Sequence, residues 1–74
     1  MRIRKVSTNC SFSITFKEFE DEFLDVYNIF FDEEYDSFGV YSLTGAFIER
    51  FDLFFESSDE RLEFIKFVEE SEEL

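Results

Sequence analysis

A chain of 74 residues with nineteen acidic and seven basic side chains, net −12, has room for one domain with a thin core. Its single cysteine excludes an intrachain disulfide framework. No apolar run approaches the roughly 18 residues of a membrane span, and the charge balance opposes direct contact with nucleic acid or anionic lipid, both of which call for a basic face.

Thirteen Phe and three Tyr offset the small size. Each buried ring takes roughly 150–250 Å² out of water, so the core can be dense without covalent staples. The lone thiol, Cys10, is expected as a buried side chain in a reducing, cytoplasmic compartment rather than as a reactive group. The basic opening Met1-Arg2-Ile3-Arg4-Lys5 lacks the apolar stretch of a secretory signal, since Ser7, Thr8, Asn9 and Ser11 intervene.

In chain order, residues 2–7 and 11–16, where Phe12, Ile14 and Phe16 alternate, predict a short N-terminal hairpin or a single strand. From 16 to 31 the rings Phe16, Phe19, Phe23, Tyr27, Phe30 and Phe31 step at helical spacing opposite Glu18, Asp21, Glu22 and Asp25. That favours one helix capped by Thr15 and Glu18, from which Val26 to Phe31 could peel away as a strand. Residues 38–43 are rich in strand formers, Thr44-Gly45 is a turn signal, and 46–55 follows. A β-hairpin is expected there, although Phe47, Ile48, Phe51, Phe54 and Phe55 also suit a helix. Ser57 and Glu60 form a capping box that predicts a helix over 58–71, with Leu62, Phe64, Ile65, Phe67 and Val68 as its apolar stripe. The acidic run 69–73 is expected to fray. The resulting fold class is α+β: a small antiparallel sheet of three to five strands packed with one or two helices, one of them C-terminal, in a single domain over residues 1–74.

The charge is unevenly placed. Residues 1–17 hold Arg2, Arg4, Lys5 and Lys17 and no acid, whereas residues 18–74 hold every acid and only Arg50, Arg61 and Lys66, a net of −16. The basic N-terminal segment is expected to neutralise acids of the same domain. Glu18, Asp21, Glu22 and Asp25 fall at i, i+3, i+4 and i+7, one line on a helix, which Asp32 could extend. Asp59, Glu60, Glu63 and Glu70 lie on the second helix, and Asp32, Glu33, Glu34 and Asp36 crowd one loop. Like charges at these spacings cost stability. Retaining them points to a use.

No histidine is present, and no nucleophile elbow, phosphate-binding loop or dinucleotide fingerprint occurs. Carboxylate-only catalysis would need a walled pocket that a domain of this size can hardly form. The acidic loop lacks the spacing and the turn glycine of an EF-hand. The expectation is therefore a non-enzymatic protein without metal or cofactor. Its acids would contact a basic, nucleic-acid-binding surface of a partner protein, standing in for phosphates about 3.4 Å apart along a strand. Size and composition match inhibitors of that kind: phage counter-defence proteins acting on restriction enzymes, CRISPR effectors or uracil glycosylase, and acidic antitoxins or immunity proteins. The alternative is an assembly subunit that docks a partner or itself through exposed Phe. The adjacent pairs Phe30-Phe31 and Phe54-Phe55 support it, because strand neighbours point to opposite faces. A homodimer is one form of that alternative.

Overall fold

The computed structural model describes residues 1–72. Five strands form one antiparallel sheet: β1 (Arg2–Lys5), β2 (Cys10–Ser13), β3 (Asn28–Asp32), β4 (Ser37–Tyr41) and β5 (Phe47–Phe54), in the order β2-β1-β5-β4-β3. Between β2 and β3 the chain makes a helical segment, α1 (Phe16–Phe19), which continues as π-helix over Glu20–Leu24. A second helix, α2 (Ser58–Glu72), closes the chain. The α+β expectation holds, with the N-terminal hairpin and the 38–55 hairpin both formed. Gly45 takes φ 95° in the second turn, a left-handed conformation that glycine adopts without steric cost.

Both helical segments cover one face of the sheet. Register places Phe31, Phe38, Phe51, Leu53 and Ile3 on that face. Phe19 is fully buried among Phe23, Phe38 and Phe64, with ring centroids 5.6, 5.1 and 5.0 Å away. Phe38 stacks on Phe51 at 5.1 Å, and Phe64 of α2 also meets Phe16, Phe31 and Phe55. Burying a Phe side chain contributes about 1.5–3 kcal/mol, so this ring cluster is the main cohesive element.

Five readings need correction. The pattern over 16–31 is not the favoured single helix but its alternative, a helix whose end leaves as a strand. Phe16, Phe19 and Phe23 are helical, but the π turn lets the Asp25 N–H donate to the Glu20 carbonyl at 2.9 Å, and the helix stops there. Phe30 and Phe31 belong to β3, one ring outward and one inward, and Asp32 ends that strand and extends no helical stripe. Leu62 is not part of the apolar stripe of α2. It lies about 200° round the helix from the buried Phe64 and is 61% exposed. Cys10 is exposed rather than buried, because it opens the edge strand β2 at a hairpin end that no helix covers. The acidic run expected to fray is helical through Glu72, and Glu73 lies outside the described residues.

Candidate protein-interaction surfaces

The acids of the helical layer begin with a cap. Thr15 Oγ1 accepts the Glu18 N–H at 3.1 Å, and the Glu18 carboxylate accepts the Thr15 N–H at 3.0 Å, so Glu18 is structurally engaged. Beyond it the π turn changes which acids meet. The carboxylates of Glu20, Asp21 and Asp25 lie within 4.8 Å of one another, while Glu22 is exposed beside them. The sequence spacing had aligned Glu18, Asp21, Glu22 and Asp25. Glu20 takes a place in the cluster because the i→i+5 bond draws it and Asp25 together, a shift that no residue pattern announces.

Three convergent carboxylates resemble a hard-cation site, but the Lys17 ammonium already pairs with Glu20 at 3.1 Å and Asp21 at 3.2 Å. Those hydrogen bonds, Glu20 first, raise the Lys17 pKa. Glu20 also accepts from Ser71 Oγ at 3.3 Å, joining the end of α2 to this segment. Glu63 and Glu70 of α2, with Lys66 between them, flank Phe16 and Phe67 in a shallow groove. The first helical segment and α2 therefore present a layer in which acids predominate, interrupted by Lys17 and Lys66.

The loop Asp32–Asp36 is held from α2. Arg61 Nε donates to Asp36 Oδ1 and its Nη2 to the Glu33 carbonyl, both at 2.8 Å. Asp32 Oδ1 accepts the Glu34 N–H at 3.1 Å, and Asp36 stands at φ 46°. Asp32, Glu33, Glu34 and Asp36 thus form an ordered turn in which Glu34 projects freely. At the start of α2, Asp59 and Glu63 are exposed. Glu60 is occupied: its N–H donates to Ser57 Oγ and its carboxylate accepts the Glu56 N–H, which lowers its pKa. The expected box therefore closes one residue earlier than a strict reciprocal pair with Ser57.

The opposite face of the sheet is open. Register puts Arg2, Arg4, Asp52, Phe54, Arg50, Gly39, Tyr41, Phe30 and Asp32 on it. Arg4 pairs with Asp52 and stands 5.5 Å over the Phe54 ring, so the basic N-terminal strand does neutralise an acid of its own domain. Arg50 Nη2 donates to the buried Ser37 hydroxyl at 2.8 Å. Near β3 the sheet carries an aromatic row, with Tyr41 meeting Phe30 at 6.3 Å and Phe47 at 5.5 Å. Gly39 lies beneath it: a Cβ there would come within 3.0 Å of the Tyr41 ring. The β-bulge between Val40 and Tyr41 pairs Phe47, rather than Ile48, with Tyr41.

No protein-family model, curated protein or solved structure matches the chain. The surfaces must speak for themselves. Among the described residues no helix is long and apolar enough to cross a membrane. The sequence had named the acids, and an exposed Phe-rich face as the alternative, but not where that face lies or that Tyr41 joins it. Its one signal was the adjacent Phe pairs, and in both of them one ring is exposed: Phe30 at 76% and Phe54 at 47%.

Proposed function

We propose that the protein is a non-enzymatic interaction module whose acidic helical layer occupies a basic, nucleic-acid-binding surface of a partner protein, in the manner of a phage counter-defence inhibitor or an antitoxin. The observation that carries this reading is the separation of charge between layers. Glu18, Glu20, Asp21, Glu22, Asp59, Glu60, Glu63, Glu69 and Glu70 stand on the helices against Lys17, Arg61 and Lys66, whereas the strands hold Arg2, Arg4, Lys5 and Arg50 against Asp32, Glu49 and Asp52. Fixed carboxylates on one rigid layer can meet Arg and Lys at charge-assisted distance without any pocket. The exposed acids available for this include Glu22, Asp25, Glu34, Asp59, Glu63, Glu69 and Glu70, with Asp21 shared with Lys17.

The test begins with capture of partners from a cell extract and their identification by mass spectrometry. Binding to the captured partner should be competed by nonspecific duplex and should weaken steeply with salt, because exposed charges are screened within about 8–10 Å at 0.1–0.15 M. Replacing Glu22, Asp25 and Glu63 together by amides should slow association, since rim charges act mainly by steering. Association unchanged by both salt and the triple replacement removes the reading. The assembly alternative is favoured by a separate observation, the exposed rings of the open sheet face.

A further inference from the structure

The open sheet face does not share the composition of the rest of the surface. In a chain with 35% charged residues, the segments 26–31 and 37–48 contain no charged residue. The sheet brings the two segments together where β3 pairs with β4 and β4 with the start of β5. There Phe30 is 76% and Phe47 60% exposed, joined through the Tyr41 ring, and Phe54 lies 47% exposed further along β5. Aromatic and arginine side chains with few other charges are the composition of an interface centre.

We propose that this face binds a second copy of the chain, face to face across a two-fold axis, so that two sheets pack as a sandwich between outer helical layers. Two arguments select a second copy as the occupant. The first is charge. Association of two chains of net −12 is opposed wherever their acids approach, and the pairing that keeps the helical layers furthest apart is the one that joins the open faces. The joined surfaces are nearly balanced, with Arg2, Arg4 and Arg50 against Asp32 and Asp52, so each copy offers both signs to its twin.

The second argument is area. At about 200 Å² per ring, the exposed parts of Phe30, Phe47 and Phe54 alone offer about 350 Å². Tyr41 and the arginines raise the face to about 500 Å², hence about 1,000 Å² in a symmetric pair, the size at which specific interfaces begin. The arrangement leaves both acidic layers outward and does not depend on their having a partner.

Sedimentation of the purified full chain tests this. From about 1 to about 100 μM, the range suited to an interface of this size, the mass should rise from the 9.0 kDa of one chain towards twice that value. Raising salt from about 0.05 to about 0.5 M should leave the dimer unchanged or tighten it, the reverse of the effect expected for a basic partner. Phe30→Ser with Phe47→Ser should weaken self-association at least about tenfold, as loss of central aromatic anchors does. Phe30→Asp alone, at a site clear of the core, should do the same, with circular dichroism unchanged in both. Glu22→Gln with Asp25→Asn should not weaken the dimer. A single-chain mass throughout, leaving the face for some other polypeptide, overturns the proposal. So does a dimer that both Phe variants leave intact.

Discussion

On the helical layer acids outnumber bases and several of them lie close together, as Glu20, Asp21 and Asp25 do within 4.8 Å. On the open sheet face Arg4 is matched by Asp52, Arg50 is tied to Ser37, and the space between is filled by rings. The contrast reflects how each element spaces its side chains. Helix neighbours at i+3 and i+4 are about 5–6 Å apart on a convex, solvated surface, and each like-charge pair costs only a few tenths of a kcal/mol. Directly opposed residues on a sheet lie about 4.5–5.5 Å apart on a flatter surface, where like charges repel and opposite charges or aromatic pairs contribute. A chain with this much negative charge keeps it most cheaply on helices.

Phe19 and Phe23 carry the first helical segment onto Phe38 and Phe51 of the sheet, and one ring ties α2 to both. Phe64 is fully buried and reaches Phe16 and Phe19 of the first helical segment, Phe31 of β3 and Phe55 beyond β5. Phe64→Ala should be the most damaging single change, lowering stability by about 3–5 kcal/mol in urea unfolding. A loss below about 1 kcal/mol would mean that the helical layer is held by something other than this cluster.

A smaller effect should come from the sheet alone. Gly39→Val brings a Cβ within 3.0 Å of the Tyr41 ring and adds two methyls beyond it, so the ring must leave its place over the strand. The expected cost is about 1–3 kcal/mol by thermal melting. Tyr41→Ala in the same chain should recover much of that cost, because it removes the clash. Failure of the second change to compensate would locate the strain in the backbone instead.

Much of this arrangement was legible from residue pattern, and the exceptions have definite causes. The capping pairs at Thr15–Glu18 and Ser57–Glu60, the turn at Gly45 and the alternation in the hairpins are local signals, and each produced the element it marks. The end of the first helix was left open between one helix and a helix followed by a strand from Val26, because Phe16 to Phe31 satisfies helical spacing almost throughout. What decides it is non-local: Asn28, Ile29, Phe30, Phe31 and Asp32 find partners on β4, which lies later in the chain. The exposure of Cys10 is likewise a matter of topology, since β2 is an edge only because β5 inserts beside β1. The acidic residues of the candidate surface were named from sequence, but their grouping was not. Glu20 enters through a π turn, and Glu18 and Glu60 are withdrawn by the caps they complete.

The acidic layer itself can be probed without a partner. Glu22→Gln, Asp25→Asn and Glu63→Gln all alter exposed groups, and Glu18 is spared because its carboxylate caps the helix. Relief of repulsion should stabilise the free domain by about 0.5 kcal/mol at low salt, and the gain should shrink at high salt. A destabilised triple variant would show that these acids make favourable contacts of their own.

The smallest expected effect belongs to Glu60, an acid of the same layer that stabilises the fold. Its carboxylate accepts the Glu56 N–H at 3.0 Å and faces the amino group of Met1 at 3.3 Å, at the positive end of α2. These interactions favour the charged form, and the pKa is lowered from the ordinary value of 4.5. A group depressed on folding contributes stability that is present above its unfolded pKa and is lost as pH falls through its folded pKa. Glu60→Gln keeps an oxygen that can accept the hydrogen bond but removes the charge, so at neutral pH it should cost only about 0.3 kcal/mol. Acidification also relieves the repulsion among the remaining acids, which would hide the effect in either protein measured alone. The difference between wild type and variant largely removes that common part. It should be constant from neutrality down to about pH 5, begin to decline near 4.5, and vanish only below the lowered folded value. A difference that persists unchanged into the acid range would mean that the shape of Glu60, and not its charge, completes the cap.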